Sequence, residues 1–130
     1  MTTFTSKTTI NKTPAEVYAF LADLNNHQQL MPENIYNWSS TTDEARFTIQ
    51  NMAKLALKVS SRTENKEIVI VPSEDAPFPV ELKWTLTDSG NGSTEALITI
   101  SAELNMMMKM LASGPLQKLA DHQTDKLKSI

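Results

Sequence analysis

Cysteine is absent from this 130-residue chain. Disulfides, thiolate nucleophiles, zinc–thiolate sites and cysteine-ligated iron–sulfur clusters are thereby excluded. Basic runs are also missing. The 12 Lys and Arg are scattered among 15 Asp and Glu, for a net charge of −3. Without a basic track for phosphates, nucleic acid is not an expected partner. No apolar stretch approaches the roughly 20 residues of a membrane helix, so no membrane span is expected. The opening MTTFTSKTTI has no apolar segment behind a basic start, and no signal peptide is expected. Together these absences predict a cytoplasmic protein. Glycine is scarce, with three residues. Gly90 and Gly92 fall in a hairpin turn that needs positive φ. They form no phosphate loop, because no GxxxxGK[ST] and no following helix is present. Neither HExxH nor GxSxG appears, so the sequence supports no metal site, no nucleophile elbow and no cofactor.

What is present is 40% apolar and 21% charged residues, a globular composition. The length fits one domain, residues 1–130, burying roughly two-thirds of its unfolded surface. Thr2 to Ile10 alternates and reads as a strand. Thr13-Pro14-Ala15-Glu16 is a helix start with Thr as N-cap, Pro at the first position and Glu closing a capping box. That helix runs to about Ala22, with Val17, Phe20, Leu21 and Leu24 on its inner face. Asp23 to Asn26 breaks it and caps a second short helix, His27 to Met31, ended by Pro32.

From Ile35 to Leu104 the period is two, with strands near 35–41, 44–50, 54–63, 66–73, 79–88 and 93–104. The separators are turn-like, including Glu74 to Pro77 and Ser89-Gly90-Asn91-Gly92. Such a run implies an antiparallel meander. Asn105 to Ala112 is helical by pattern, as is the segment in which Leu116, Leu119, Gln123 and Leu127 share one face. Ser113-Gly114-Pro115 predicts a kink or interruption between them. The expected class is α+β: a seven-stranded antiparallel sheet wrapped around a long C-terminal helix, with two short helices between strands 1 and 2.

This order resembles the helix-grip fold of the START-like (SRPBCC) superfamily, which includes polyketide cyclase/dehydrase-like and Bet v 1-like proteins. The segment NKTPAEVYAFLADLNNHQQLMPENIYNW resembles the family's opening through Pro14, Val17, Phe20, Leu21, Asp23 and Pro32. Those residues are structural and carry no activity. The resemblance implies a lipid, sterol, plant-metabolite or quinone binder, a polyketide cyclase, or a protein-binding module, and fold analogy does not choose among them.

Alternation places Phe47, Ile49, Leu55, Leu57, Val59, Ile68, Ile70, Leu82, Trp84, Leu86, Ile98 and Ile100 on the inward face. In the resembled fold these face the C-terminal helix. The space between is either an apolar pocket or filled by these side chains, and the sequence admits both. The expected pocket residues are Phe47, Ile49, Leu57, Val59, Trp84 and Ile100 from the sheet, with Met108, Leu111 and Leu116 from the helix. Met106 and Met110 point away and suit a loop contact or a homodimer seam. Arg46, Arg62, Glu64, Glu81 and Lys83 fall on the outward phase as surface pairs. His27 and His122 read as surface histidines. Tyr36, Trp38, Gln50 and Asn51 lie near strand ends, where they orient a ligand's polar head or finish the core rim. The inward phase holds almost no ionisable group, which argues against an enzyme unless a β-bulge inverts the phase. The leading expectation is a non-catalytic binder of a small hydrophobic or amphipathic molecule. The alternatives are a cyclase/dehydratase-like enzyme or an interaction module with a filled core.

Overall fold

The computed structural model describes residues 1–74 and 76–130. Asp75, inside the expected Glu74–Pro77 turn, lies outside them. Seven strands form, and those without a bulge near the cavity alternate in burial as the period of two requires: β1 (Thr2–Ile10), β2 (Ile35–Ser40), β3 (Glu44–Ile49), β4 (Ala53–Thr63), β5 (Glu67–Pro72), β6 (Val80–Gly90) and β7 (Ser93–Ala102). They form one curled antiparallel sheet in the order β1-β7-β6-β5-β4-β3-β2. The meander runs from β2 to β7, and β1 pairs beyond β7, so the two edges are joined by the segment containing the short helices.

The first of these is α1 (Pro14–Leu21). Glu16 N–H donates to Thr13 Oγ1 at 3.3 Å, and Thr13 N–H donates to Glu16 Oε1 at 3.1 Å, so the capping box forms as expected. The Glu16 carboxyl is held below the usual carboxylate range, first by the Thr13 backbone N–H and then by its hydroxyl. Thr13→Ala is expected to cost about 1 kcal/mol in urea unfolding. A loss indistinguishable from zero would mean that solvent replaces the cap without penalty.

The second short helix is a 3₁₀ helix, Leu24–Leu30, and it begins three residues before the position expected from sequence. Asp23 caps it, its carboxylate accepting from Asn25 N–H at 3.0 Å. A 3₁₀ helix repeats every three residues, which puts Leu24, His27 and Leu30 on one buried face.

The long helix α2 (Met106–Leu127) buries Ala112, Leu116, Leu119, Gln123 and Leu127 and packs on β1, β7 and the 3₁₀ helix. Its grip on β1 is also polar. The Ser6 and Thr124 hydroxyls are hydrogen-bonded at 2.7 Å, and Gln117 Nε2 donates to Thr5 O at 3.1 Å. The kink or break expected at Ser113-Gly114-Pro115 does not interrupt the helix, which runs through Pro115. The proline removes one N–H from the ladder. Ala112 and Leu116, buried on either side of it, hold both halves against the sheet, and the Ser113 hydroxyl donates to Lys109 O at 2.6 Å. No helix among the described residues is long and apolar enough to cross a membrane.

Among the described residues the sheet register shifts at three places; one is at the β6–β7 hairpin, between Asp88 and Gly90, and the other two are bulges that change the sequence phase near the cavity. One lies in β2 between Tyr36 and Ser39, where Asn37 has φ of 56°. The other lies in β4 between Val59 and Ser61. Past the second, Arg62 is opposite Ile68, which is fully buried. Directly opposed residues share a face. Arg62 is therefore on the concave side at the end of the sheet, and not outward as its phase predicts. Its Nη2 donates to Ala22 O and Asp43 Oδ1, each at 2.8 Å, and to Thr42 O at 3.2 Å. The guanidinium thus joins the end of α1 to the β2–β3 turn. Arg46 remains outward and pairs with Glu74.

Candidate functional site

Among the described residues, a small, partly open cavity of about 20 Å³ lies between sheet and α2. Phe47, Leu57, Ile70, Leu82 and Trp84 line it from the sheet, and Leu119 and Gln123 from α2. Leu24, His27 and Met31 close it from the side of the 3₁₀ helix, beside Trp38 of β2. Trp38 arrives there because the β2 bulge reverses its phase. It stacks on Phe47 with ring centroids 5.3 Å apart and planes 11° from parallel. Its Nε1–H donates to Ser40 Oγ at 2.9 Å, and Ser40 Oγ donates to Asn25 Oδ1 at 2.8 Å. Met31 and Trp38 are half-buried, so the wall is thinnest between the 3₁₀ helix and β2.

The remaining wall is deeply buried and carries polar atoms. Trp84 is fully buried and Gln123 is 1% exposed. Among the described residues, Trp84 Nε1 and Gln123 Nε2 have no hydrogen-bond partner. Such buried donors cost about 1–3 kcal/mol each unless something accepts from them. His27 is 4% exposed, which corrects the expectation of a surface histidine. Its Nε2 lies 2.7 Å from Leu21 O. A carbonyl only accepts, so Nε2 carries the proton and donates, and Nδ1 is the acceptor of the neutral ring. Burial pushes the His27 pKa down. The bond to Leu21 and the nearby Asp23 oppose this without overcoming it.

Element order, sheet order and the curl of the sheet over α2 can now be compared with known proteins. No family model matches the chain, and no curated protein matches it in sequence. Solved structures do match. A protein of Thermus thermophilus, TTHA0849, superposes with a TM-score of 0.79 at 15% identity, covering 98% of this chain and 95% of that one. A START superfamily protein from Mycobacterium smegmatis gives 0.69 at 16% identity over 98% and 97% of the two chains. The Zhui aromatase/cyclase from Streptomyces sp. R1128 gives 0.75 at 10% identity over 98% and 92%.

The fold is START-like.

Within this START-like frame the expected pocket residues divide. Phe47, Leu57 and Trp84 meet at the cavity wall. Ile49, Ile100 and Leu116 are buried in the surrounding core, and Val59 is half-buried beside the β4 bulge. Met108 is half-buried and lines a separate open groove of about 580 Å³, between the start of α2 and Pro77, Phe78 and Pro79. Leu111 is 60% exposed and lines no part of the internal space, contrary to its expected place. The buried stripe of α2 begins at Ala112, one residue and about 100° further round the helix. Tyr36, Gln50 and Asn51 are exposed, and the Trp38 N–H is engaged by Ser40. None of these four places a free polar group over the cavity.

His27 and Gln123 are the polar ones among the wall residues that sequence reasoning passed over as functional candidates. Gln123 had a signal, since it interrupts the apolar stripe of α2. His27 showed none at α-helical spacing, and three-residue spacing from Leu24 and Leu30 reveals it.

Proposed function

We propose that this START-like domain binds a small hydrophobic or amphipathic molecule between its sheet and α2. The observation that carries the reading is the pair of unpartnered donors, Trp84 Nε1 and Gln123 Nε2, on the wall of an otherwise largely apolar cavity. A core selected only for stability has no use for them. Ligand pockets hold about 300–1,000 Å³, so binding enlarges the resting cavity. The half-buried Met31 and Trp38 are the side chains whose movement does so, and methionine repacks readily around varied shapes. The binder acts in the cytoplasm, as a single domain, and needs no membrane span.

The test is a fluorescence titration of wild type and Trp38→Phe with fatty acids, sterols, quinones and aromatic polyketide-like compounds. Trp84 is the one tryptophan left in that variant. A saturable change of at least a few per cent at micromolar ligand is expected. No change with any compound sinks the reading.

Two observations favour other readings. His27 is an ionisable group on the cavity wall, which suits a cyclase/dehydratase-like enzyme with a neutral imidazole as base. Turnover lost in His27→Gln with binding retained would establish it. Met106, Met107, Met110 and Leu111 form an exposed apolar surface at the start of α2. That surface suits a homodimer or other protein contact, and sedimentation of Met106→Lys/Met110→Lys against wild type reports on it.

A further inference from the structure

The cavity's polar atoms also carry information about the ligand's chemistry. Resting on the binding reading above, we infer that the ligand is uncharged at this end and inserts one oxygen acceptor, a ketone-type carbonyl, between Trp84 Nε1–H and Gln123 Nε2–H. Both donors belong to side chains almost wholly buried and both lack an acceptor among the described residues. Both side chains line one cavity of about 20 Å³, close to the room that one water-sized oxygen needs. A carbonyl oxygen has two lone pairs and receives two N–H donors at once.

The same wall argues against a carboxylate. It contains no Lys or Arg. His27, its only ionisable group, is held neutral by burial, against the weaker pull of Asp23 and the Leu21 carbonyl. Arg62, on the concave face past the β4 bulge, does not line the wall and is engaged by Ala22 O, Thr42 O and Asp43. A buried anion without a cation is costly, whereas a neutral oxygen satisfies the donors without adding charge. An apolar group of the same shape would leave both donors unpaired.

Three probes of matched shape separate these cases by calorimetry at pH 7.5: 2-acetylnaphthalene, 2-isopropenylnaphthalene and 2-naphthoate. Wild type is expected to bind the ketone at least about tenfold tighter than the hydrocarbon, because two donors are satisfied in place of two left open. The carboxylate should bind weakest. Gln123→Met keeps length and removes the donor, so it should shrink the ketone's advantage over the hydrocarbon. A second readout does not depend on the folding of Gln123→Met. The Trp84 indole N–H resonance, the one remaining in Trp38→Phe, should move downfield with the ketone and not with the hydrocarbon. Equal binding of ketone and hydrocarbon, or tightest binding of the carboxylate, overturns the inference while the pocket reading stands. Binding of none of the three, together with no response to the fatty acids, sterols, quinones and polyketide-like compounds above, removes the pocket reading, and this inference with it.

Discussion

Leu116→Ala and Leu119→Ala are each expected to lower unfolding free energy by about 2–5 kcal/mol. Both side chains are buried between α2 and the sheet, at 2% and 3% exposure. Shortening either one removes the transfer energy of three heavy atoms and leaves a void that neighbours fill only in part. The two positions should differ. Leu119 borders the existing cavity and Leu116 does not. The void at Leu119 therefore merges with space already there, and Leu119→Ala should also raise the affinity for bulky ligands. Urea unfolding at fixed pH, with unchanged m-values, measures the stability term. Losses below about 0.5 kcal/mol for both, the range of ordinary surface changes, would mean that α2 presents a different face.

Acidification should destabilise the fold through His27. Its ring is buried and its pKa lies below the ordinary 6.5, chiefly because burial penalises the imidazolium. Below about pH 6.5 the unfolded chain takes up a proton that the folded ring refuses, so the unfolded state binds more protons and stability rises with pH. The His27 contribution is complete above that value. It falls as pH drops toward the folded pKa, by about 1.4 kcal/mol per unit where the difference is full. His27→Gln keeps a donor for Leu21 O and cannot titrate. Its stability should be flatter than wild type between pH 7.5 and 5.0 in urea unfolding. Parallel profiles would show that His27 takes up its proton equally in both states. If a ligand fills the cavity, it should reinforce the neutral ring and shift the wild-type loss to lower pH.

Much of the architecture was legible residue by residue. The Thr13–Glu16 box starts α1 where the motif places it. Alternation marks the buried side chains of β3, β6 and β7 correctly, and Leu116, Leu119, Gln123 and Leu127 line the inner face of α2. These are local matters. Capping needs four residues and a strand's faces need only its own period, so neighbours along the chain suffice to set them.

The site was legible only in part. Phe47, Leu57 and Trp84 were placed by phase alone. Leu111 was misplaced because the helix at its first turns was phased from Leu104, which lies outside α2 and fixes no rotation of it. His27 escaped because a 3₁₀ helix follows a period of three, and a polar stretch shows no preference between that and 3.6. Trp38 and Arg62 reached the concave side through bulges, where one extra residue reverses every later side chain.

The sequence by itself determined the element order, the antiparallel meander and the apolar character of the face that meets α2. Each follows from periodicity and turn chemistry within short windows. Tertiary structure decided what stands at that face: a space almost filled by its own side chains, with Trp84, Gln123 and His27 brought to one wall from β6, α2 and the 3₁₀ helix. These residues are far apart in the chain, and their meeting depends on bulge positions and on the rotation of α2. Both are set by how side chains pack across elements, which no local pattern encodes.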